Sequence, residues 1–364
     1  MVELRLGLKS QNVLVCVYQA VSNISLINIC VIISNEGVLL KFIYTKDSSQ
    51  RVDLVVLELL NISRNQAQNL IKNGLVFVDK KVVTKSGFMV EKDSQIHIKE
   101  LKKDNEDELN LDFSVDILYE DEYILIINKP PNLTTHKAPS VNEATLVDWL
   151  VSKNFKLSCI AGEDRRGIVH RLDKETSGAL IIAKDNSTHE KLSNKFKEQN
   201  IGRYYLAIID LPLRQSLIVD RKIARNMKNR LKMSINSEGK ESKSAFVKLK
   251  NSKNMNYELI AAKLFSGRTH QIRVHLKSLS RHILGDDLYG FKSQKVKIPR
   301  VMLHAFGLSL THPVTDEPLQ ICAPLFEDFK TELLNYFEGE IDYEKISLPD
   351  IINLFDTVCF GVSA

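Results

Sequence analysis

The sequence predicts an α+β protein with two domains. Short strand patterns follow one another with only scattered helical patterns between them, which argues against the regular alternation of a doubly wound sheet. The chain has 364 residues, of which 44% are hydrophobic and 26% charged, so it can bury a sizeable core. This composition excludes a collagen-like or largely disordered protein. At about 150 residues per domain, the length corresponds to roughly two domains.

The first 47 residues are an N-terminal extension with no assigned role. Residues 10–35 carry no charge, which raises the question of a membrane span. Polar side chains interrupt every short apolar stretch of this region, so extra strands or an irregular extension are the favoured interpretation. We therefore expect no membrane partner.

Residues 48–100 are predicted to form a small domain of two short helices followed by strands. Ser63 is expected to cap the second helix and Gly74 to end it. Basic residues along this segment indicate a surface for RNA phosphates, with Arg64 and Lys72 as the expected contacts. A solvated surface without a ligand is the alternative.

Residues 101–112 hold five acids and two lysines with almost no apolar periodicity, which predicts a hydrated linker. A second, strand-rich domain is expected over residues 113–330, followed by a C-terminal extension over 331–364. Its strands are predicted at 123–127, 167–169, 179–183, 204–209, 245–250 and 257–264, and its helices at 145–153, 187–198 and 269–279.

The segment GIVHRLDKETSG, residues 167–178, places an acid on a loop between two apolar patterns. Such a position is rigidly supported yet open to a ligand. Arg171 and Lys174 flank Asp173 and favour its ionised form, as a nucleophile or base requires. An acid in a polar turn also bonds to nearby backbone N–H groups, so catalysis and turn chemistry both remain open from spacing alone.

The segment SGRTHQIRVHL, residues 266–276, is predicted to form a helix with one cationic face. Thr269 is expected to cap this helix. By the three-and-four spacing, His270, Arg273 and Lys277 share the face opposite the core, although a solvated helix shows the same pattern. The histidines lack ligand spacing, so no metal site is expected.

Residues 220–253 contain eleven Lys and Arg against three acids, a larger excess than the +5 of the whole chain. Such a concentration suits the phosphate backbone of RNA or DNA, with Arg225, Arg230 and Lys232 as expected contacts. Surface solubility is the alternative. The five cysteines are odd in number and form no C-x-x-C pair, so a reducing cytoplasm is expected and a disulfide framework is not.

Six blocks occur in an order that resembles the RluA-type pseudouridine synthases. They are ILYEDEYILIINKP at 117–130, HRLDKETSG at 170–178, GRYYLAI at 202–208, SGRTHQIRVHL at 266–276, ILGDDLYG at 283–290 and LHAFGLSLTHP at 303–313. Residues 48–100 resemble a small RNA-binding module first described in a small-subunit ribosomal protein. The resemblance implies that this module precedes a synthase domain with a mixed, largely antiparallel sheet and flanking helices.

The resemblance also implies roles for individual residues. Asp173 matches the family's catalytic aspartate, Tyr205 its tyrosine packed against the target base, and Arg273 the arginine that pairs with the aspartate. Arg171 matches the residue that fills the space left when a uridine is flipped out of the RNA. His170 and Arg268 are expected as further RNA contacts.

The implied reaction breaks the N1–C1′ bond of a uridine, turns the uracil and rejoins it through C5. It requires no cofactor, metal or energy source. Asp173 would either attack C1′ or assist proton removal, and the sequence does not choose between these routes. Arg273 is expected to hold Asp173 charged through bidentate hydrogen bonds.

The expected substrate is large-subunit ribosomal RNA. The stretches IVHRLDKETSG and ARNMKNRLKM favour an RluD-type over an RluC-type member, acting as a monomer. A noncatalytic RNA-binding assembly factor and a synthase acting on tRNA are the alternatives.

Three departures from the family pattern leave loop shape and RNA affinity open: Asn132 for a glycine, Ser266 for a threonine, and Asp79-Lys80-Lys81 for an Asn-Gly turn. The small module ordinarily begins near a chain's start, so we expect an extension or an upstream start here, with natural initiation near Leu40.

Overall fold

The computed structural model describes the backbone of residues 4–8, 14–20, 27–34, 37–60, 62, 64–101, 111–138, 141, 143–290, 298–337 and 341–360. The chain divides into two compact units, Met1–Glu108 and Leu109–Ala364. Ser63 lies outside the described residues, so its predicted capping role stays a prediction. Within the described ranges, no helix is long and apolar enough to cross a membrane.

The first unit contains a seven-stranded antiparallel sheet in the order β1-β2-β3-β4-β9-β6-β7. Its strands are β1 (Leu4–Leu8), β2 (Leu14–Ala20), β3 (Ile27–Ser34), β4 (Gly37–Ile43), β6 (Val76–Val78), β7 (Lys81–Val82) and β9 (Gln95–Leu101), and the pair β5 (Gln50–Arg51) and β8 (Met89–Val90) forms a separate ribbon. Of the two alternatives for the N-terminal extension, extra strands or an irregular extension, its described residues form strands. Leu40, the expected initiation point, lies within β4, which pairs with β9 along its whole length.

Two helices, α1 (Val52–Leu60) and α2 (Arg64–Lys72), pack together in this unit. Gly74 ends α2 as predicted: it has a φ of 70°, and its N–H donates to the Ile71 carbonyl. The next N–H, that of Leu75, donates to the Leu70 carbonyl, which completes a Schellman motif. Glycine suits this position because the left-handed backbone disfavours a side chain.

The two-residue turn between β6 and β7 keeps its hairpin geometry without the expected Asn-Gly. Asp79 and Lys80 have φ values of 49° and 66°, and Val78 pairs with Lys81. Two successive positive φ values are those of a type I′ turn, whose twist matches the flanking strands. The departure in sequence therefore places a lysine in a left-handed conformation and leaves the turn unchanged.

The second unit is built on a mixed sheet of nine strands in the order β10-β11-β12-β19-β13-β18-β17-β14, with β20 paired to β19. All its pairs are antiparallel except β12 with β19, which confirms the predicted α+β class. The strands are β10 (Asp116–Glu120), β11 (Ile124–Lys129), β12 (Ser177–Ala183), β13 (Ile201–Asp210), β14 (Leu217–Asp220), β17 (Lys243–Asn251), β18 (Tyr257–Leu264), β19 (Leu303–Thr311) and β20 (Pro318–Cys322), and β15 (Ile223–Arg225) pairs with β16 (Met233–Ile235) in a separate hairpin.

The helices of this unit flank the sheet. They are α3 (Leu146–Ser152), α4 (Asn186–Lys197), α5 (Gln271–Ser278), α6 (Glu327–Phe337) and α7 (Leu348–Phe360), with short 3-10 turns at Glu163–Arg165 and Tyr343–Lys345. Phe329, Phe337 and Phe355 belong to the same hydrophobic core as β13 and β18, so residues from the predicted C-terminal extension complete that core.

Two local predictions in this unit are wrong. Residues 167–169 contain only an isolated bridge from Ile168 to Ile182, because the chain there bends through Gly167 at a φ of 72°. Thr269 does not cap α5: the N-cap is His270, which is left-handed and makes no side-chain capping bond.

The parallel junction between β12 and β19 is tight. Ser177 and Gly178 pair with His304 and Ala305, and a Cβ on Gly178 would lie 2.3 Å from the Ala305 carbonyl oxygen. Only glycine permits this approach. The loop that carries Asp173 enters β12 at this junction, so its end is fixed by the sheet.

Candidate active site

A cavity of about 550 Å³ opens in the second unit between the Asp173 loop, β13 and the start of α5. Asp173, Tyr205 and Arg273 all line it, so the structure brings the three predicted catalytic residues together. Its volume lies in the usual range for small-molecule sites, which is enough to admit a nucleobase.

The Asp173 carboxylate faces two cationic or titratable groups. Its Oδ2 lies 3.6 Å from Arg273 Nη1 and 3.8 Å from His270 Nε2, and its side chain is 19% exposed. These separations allow electrostatic attraction and exceed hydrogen-bond length. The carboxylate is therefore near positive charge and still open to the cavity.

The bidentate partner of Arg273 is Asp286, and the predicted bidentate bond to Asp173 is wrong. Arg273 Nε and Nη2 donate to the two carboxylate oxygens of Asp286 at 2.8 and 2.7 Å. Burial lowers the pKa of Arg273, but the hydrogen bonds and charge of Asp286, helped by Asp173 and Glu175, raise it above its ordinary value. Asp286 thus fixes the guanidinium, and only its remaining Nη1 turns towards Asp173.

The imidazole of His270 is held by Tyr289. The Met233 N–H donates to the Tyr289 hydroxyl at 2.7 Å, and that hydroxyl lies 2.8 Å from His270 Nδ1. Because the hydroxyl oxygen accepts from Met233, its proton is available to Nδ1, which favours the tautomer with a proton on Nε2 facing Asp173. Burial lowers the pKa of His270.

Two buried side chains hold the backbone of the Asp173 loop on either side of the acid. The hydroxyl of Thr135 donates to the Leu172 carbonyl at 2.9 Å. Lys129 is fully buried, and its ammonium group donates to the Lys174 carbonyl at 3.1 Å as well as to two carbonyls of its own segment. Burial lowers the pKa of Lys129 to about 7.

A second buried cation, Arg300, bonds to the same loop. Arg300 is 1% exposed, makes a bidentate pair with Asp328, and donates to the Glu175 carbonyl at 3.4 Å. Three side chains, two from the end of β11 and the loop after it and one from far along the chain, therefore bond to three carbonyls within two residues of Asp173. Such support from packed elements is what a precisely placed reacting group requires.

Tyr205 presents its ring to the cavity from β13. It is 5% exposed, and burial raises its pKa to about 12, so the phenol keeps its proton at neutral pH. Arg203 lies two residues earlier on the same face of the strand and also lines the cavity.

The predicted RNA contacts fall into three groups. Arg171, Arg268 and His170 line the cavity. The His170 imidazole is committed to the fold, since its Nε2 accepts from the Ile181 N–H at 3.0 Å and burial lowers its pKa to about 3. An uncharged ring cannot form an ion pair with a phosphate, so the predicted RNA contact of His170 would have to be a neutral one.

The second group lies on the β15–β16 hairpin, residues 223–235. Arg225 and Arg230 are exposed and Lys232 is half-buried. The same hairpin exposes 91% of Met227 and 77% of Leu231. Its basic and apolar side chains are thus accessible together.

The third group belongs to the first unit. Lys72 is exposed, whereas Arg64 forms an ion pair with the buried carboxylate of Asp53 at 3.2 Å. Arg51 donates two further hydrogen bonds to that carboxylate, and these bonds hold the pKa of Asp53 well below its usual range. Arg64 is therefore partly used to stabilise the helix pair.

Sequence reasoning missed the residues that position the reacting groups. Asp286, Lys129 and Arg300 are charged residues that are buried, and no local pattern distinguishes them from surface charges. Asp286 lies within the ILGDDLYG block and Lys129 within the ILYEDEYILIINKP block, and this membership was the available signal. In the described parts of the chain, no group of three or more potential metal ligands is gathered.

Comparison with known proteins agrees with this geometry. Residues 123–278 match the family model for RNA pseudouridylate synthases, and residues 50–96 match the S4 domain. An uncharacterized RNA pseudouridine synthase of Helicobacter pylori strain J99 is 45% identical over 317 residues, which cover 82% of this chain and 94% of that protein.

Two further similarities were found. Ribosomal large subunit pseudouridine synthase D of Zymomonas mobilis is 36% identical over 227 residues, covering 60% of this chain and 72% of that protein. The solved structure of human RNA pseudouridylate synthase domain containing 1 is 27% identical with a TM-score of 0.48, covering 58% of this chain and 84% of that one. The chain belongs to the RNA pseudouridylate synthase family of isomerases and carries an S4 domain before its synthase domain.

Proposed function

We propose that this isomerase converts specific uridines of large-subunit ribosomal RNA to pseudouridine, with Asp173 as its catalytic residue. The observation that carries the proposal is the open carboxylate of Asp173 beside Arg273 in a cavity walled by Tyr205. The ribosomal substrate and the RluD type are supported by the similarity to pseudouridine synthase D.

Asp173 acts on the sugar of the bound uridine. An ionised carboxylate attacks C1′ as the N1–C1′ bond breaks, or assists proton removal at the sugar, and the uracil then turns. C5 bonds to C1′ as the carboxylate is released from any bond to that carbon, the C5 proton is lost, and N1 gains a proton. Positive charge develops on the ribose in this step, so a nearby carboxylate stabilises it. The Arg273 guanidinium lies 3.6 Å from the Asp173 carboxylate and attracts it electrostatically, while the ion pair with Asp286 fixes the position of the guanidinium.

Tyr205 supports the detached base. Since its pKa is raised to about 12, the ring carries no negative charge and offers an apolar face against which the uracil packs as it turns. Such confinement keeps C5 close to C1′ and prevents loss of the base to solvent.

The RNA has to release the uridine from its stack, which costs a few kcal/mol. Arg171 is exposed at the cavity and is placed to fill the space left in the RNA. Arg268 and the basic hairpin with Arg225, Arg230 and Lys232 supply electrostatic attraction to the phosphate backbone, and Lys72 of the S4 domain adds to it.

The test is Asp173→Asn in the purified full-length chain. We expect pseudouridine formation to be abolished and RNA binding to change by less than about 1 kcal/mol, the scale of one neutral hydrogen bond. Asp116→Asn, an exposed acid on β10, is the matched control and retains activity. Carbodiimide-coupled primer extension reads out the product and its position. The same measurement on rRNA and tRNA from cells with and without the gene identifies the RNA that is modified.

Modified rRNA from the Asp173→Asn protein would refute the catalytic role. Modification that appears only in tRNA would refute the ribosomal substrate. Full rescue of growth by the inactive variant would favour an RNA-binding assembly factor over an enzyme as the main cellular role.

A further inference from the structure

Arg203 is a buried cation that faces the cavity without a counter-charge. It is 6% exposed, and its Nε has no hydrogen-bond partner. Among the residues that the structure describes, no carboxylate forms an ion pair with it, and its guanidinium carbon lies 5.3 Å from the centroid of the Phe196 ring. Burial lowers its pKa.

The surroundings of Arg203 are shaped to keep it there. Gly267 lies against the guanidinium, and a Cβ on this glycine would come within 2.7 Å of Arg203 Nη1. The ring of Phe196 also lies next to the Arg203 guanidinium, and Phe196 and Gly267 both line the cavity. Arg203 thus lies among the residues that line the cavity, with its Nε buried and without a hydrogen-bond partner.

Arg203 and Tyr205 are two residues apart on β13, and both line the cavity together with Asp173. In the described part of the chain, the groups that pair with the Asp173 carboxylate are Arg273 and His270, and Arg203 is not among them. A uridine whose C1′ is at Asp173 and whose base packs on Tyr205 therefore leaves Arg203 for another part of the RNA.

Burying a guanidinium without a partner costs free energy of folding. A ligand that offered only a neutral carbonyl would leave the positive charge uncompensated. An RNA phosphate supplies both a negative charge and two oxygens that match the guanidinium fork. Lys197 and Arg268 line the same cavity and add positive potential for such an anion.

We propose that Arg203 binds a backbone phosphate flanking the uridine in the cavity and so positions that nucleotide against Asp173. The inference rests on the proposed function in that the anion belongs to the RNA substrate. Arg203 is a positioning residue: it anchors the nucleotide and takes no part in bond breaking.

The first experiment uses the free protein and inorganic phosphate as the probe. Thermal unfolding of the wild type and of Arg203→Met is compared in phosphate and in chloride at equal ionic strength. We expect Arg203→Met to unfold at a higher temperature than the wild type in chloride, because an uncompensated buried charge is removed. We expect phosphate to raise the unfolding temperature of the wild type and to have a smaller effect on the variant. Arg214→Met, an exposed arginine outside the cavity lining, is the matched control and keeps the full phosphate response.

The second experiment measures the salt dependence of RNA affinity in the Asp173→Asn background, where the RNA is not converted. An rRNA transcript carrying the mapped uridine is titrated at several KCl concentrations. Loss of one phosphate contact reduces the slope of log affinity against log salt by about 0.7 for single-stranded RNA. Gly267→Ala, which displaces the guanidinium and keeps its charge, is expected to weaken binding in the same direction.

A weaker affinity with an unchanged salt slope would overturn the proposal in favour of a contact to the base. A lower unfolding temperature for Arg203→Met, with the phosphate response retained, would overturn it in favour of a purely structural role. If phosphate stabilises the wild type through Arg203 while no rRNA is modified, the inference stands and the proposed function fails, so the two are tested separately.

Discussion

The ion pair between Arg273 and Asp286 is expected to control both the stability of the synthase domain and the reactivity of Asp173. The perturbation is Asp286→Asn. The Asp286 Oδ1 accepts from the Leu288 and Tyr289 N–H groups at 3.1 and 2.9 Å, and the amide oxygen of asparagine can keep these bonds. The amide nitrogen of the asparagine then faces the Nε–H of Arg273, so two hydrogen-bond donors oppose each other.

The size of the expected loss of stability follows from the burial of both side chains of the ion pair. The side chains of Arg273 and Asp286 are 4% and 1% exposed, and removing one partner from such a pair costs about 3–5 kcal/mol. At about 3 °C per kcal/mol for a domain of this size, the unfolding temperature should fall by roughly 9–15 °C. Pseudouridine formation should fall by about 100-fold or more, because the guanidinium beside Asp173 loses its anchor.

The assay pairs thermal unfolding with single-turnover pseudouridine formation for the two single variants and the double variant Arg273→Met/Asp286→Asn. The double variant should regain most of the stability, since neither a buried unpaired charge nor opposed donors remain. It should stay inactive, because no cation faces Asp173. A double variant as unstable as Asp286→Asn alone would refute the reasoning, since the loss would then come from the Asp286 loop and not from the stranded arginine.

Three further outcomes are expected. Lys80→Gly should raise the free energy of unfolding of the S4 domain by about 0.5–1 kcal/mol, because glycine relieves the left-handed strain at a φ of 66°. Lys81→Gly in the adjoining strand should lower the free energy of unfolding, and urea unfolding measures both variants. Burial lowers the pKa of His304 to about 4, below its ordinary value near 6.5, so between these values the unfolded chain binds a proton that the folded chain excludes. Stability should therefore fall by about 1.4 kcal/mol per pH unit as the pH drops through this window, and His304→Gln should show a smaller fall in urea titrations at pH 7 and 5. Thr135→Val removes the hydrogen bond to the Leu172 carbonyl and should cost about 1 kcal/mol of stability, with single-turnover rates reduced more than RNA affinity; an equal loss of both would contradict a positioning role.

The sequence was sufficient to predict three residues that meet at the cavity. Asp173, Tyr205 and Arg273 lie in short blocks whose order resembles a family, and each block forms one local element, so their meeting at one cavity could be anticipated. The α+β class followed from strands that neighbour strands. These features are local or are repeated along the chain, which is why a pattern can reveal them.

The missed features depend on tertiary contacts. Lys129 and Arg300 are charged residues with almost no exposure, and only the fold shows that loop carbonyls and Asp328 satisfy them. The partner of Arg273 could not be chosen between two aspartates without distances. Residues 167–169 have the composition of a strand, but the turn at Gly167 leaves a single bridge at Ile168.

The support of the Asp173 loop by Arg300 has a consequence during protein synthesis. The ribosome extends the chain from its N-terminus, and domains generally fold as units as they emerge. All strands of the S4-containing unit precede residue 109, whereas Arg300 and its partner Asp328 are made more than 120 residues after Asp173 itself. A nascent chain can therefore fold its S4 domain long before Arg300 is available to hold the loop that carries Asp173.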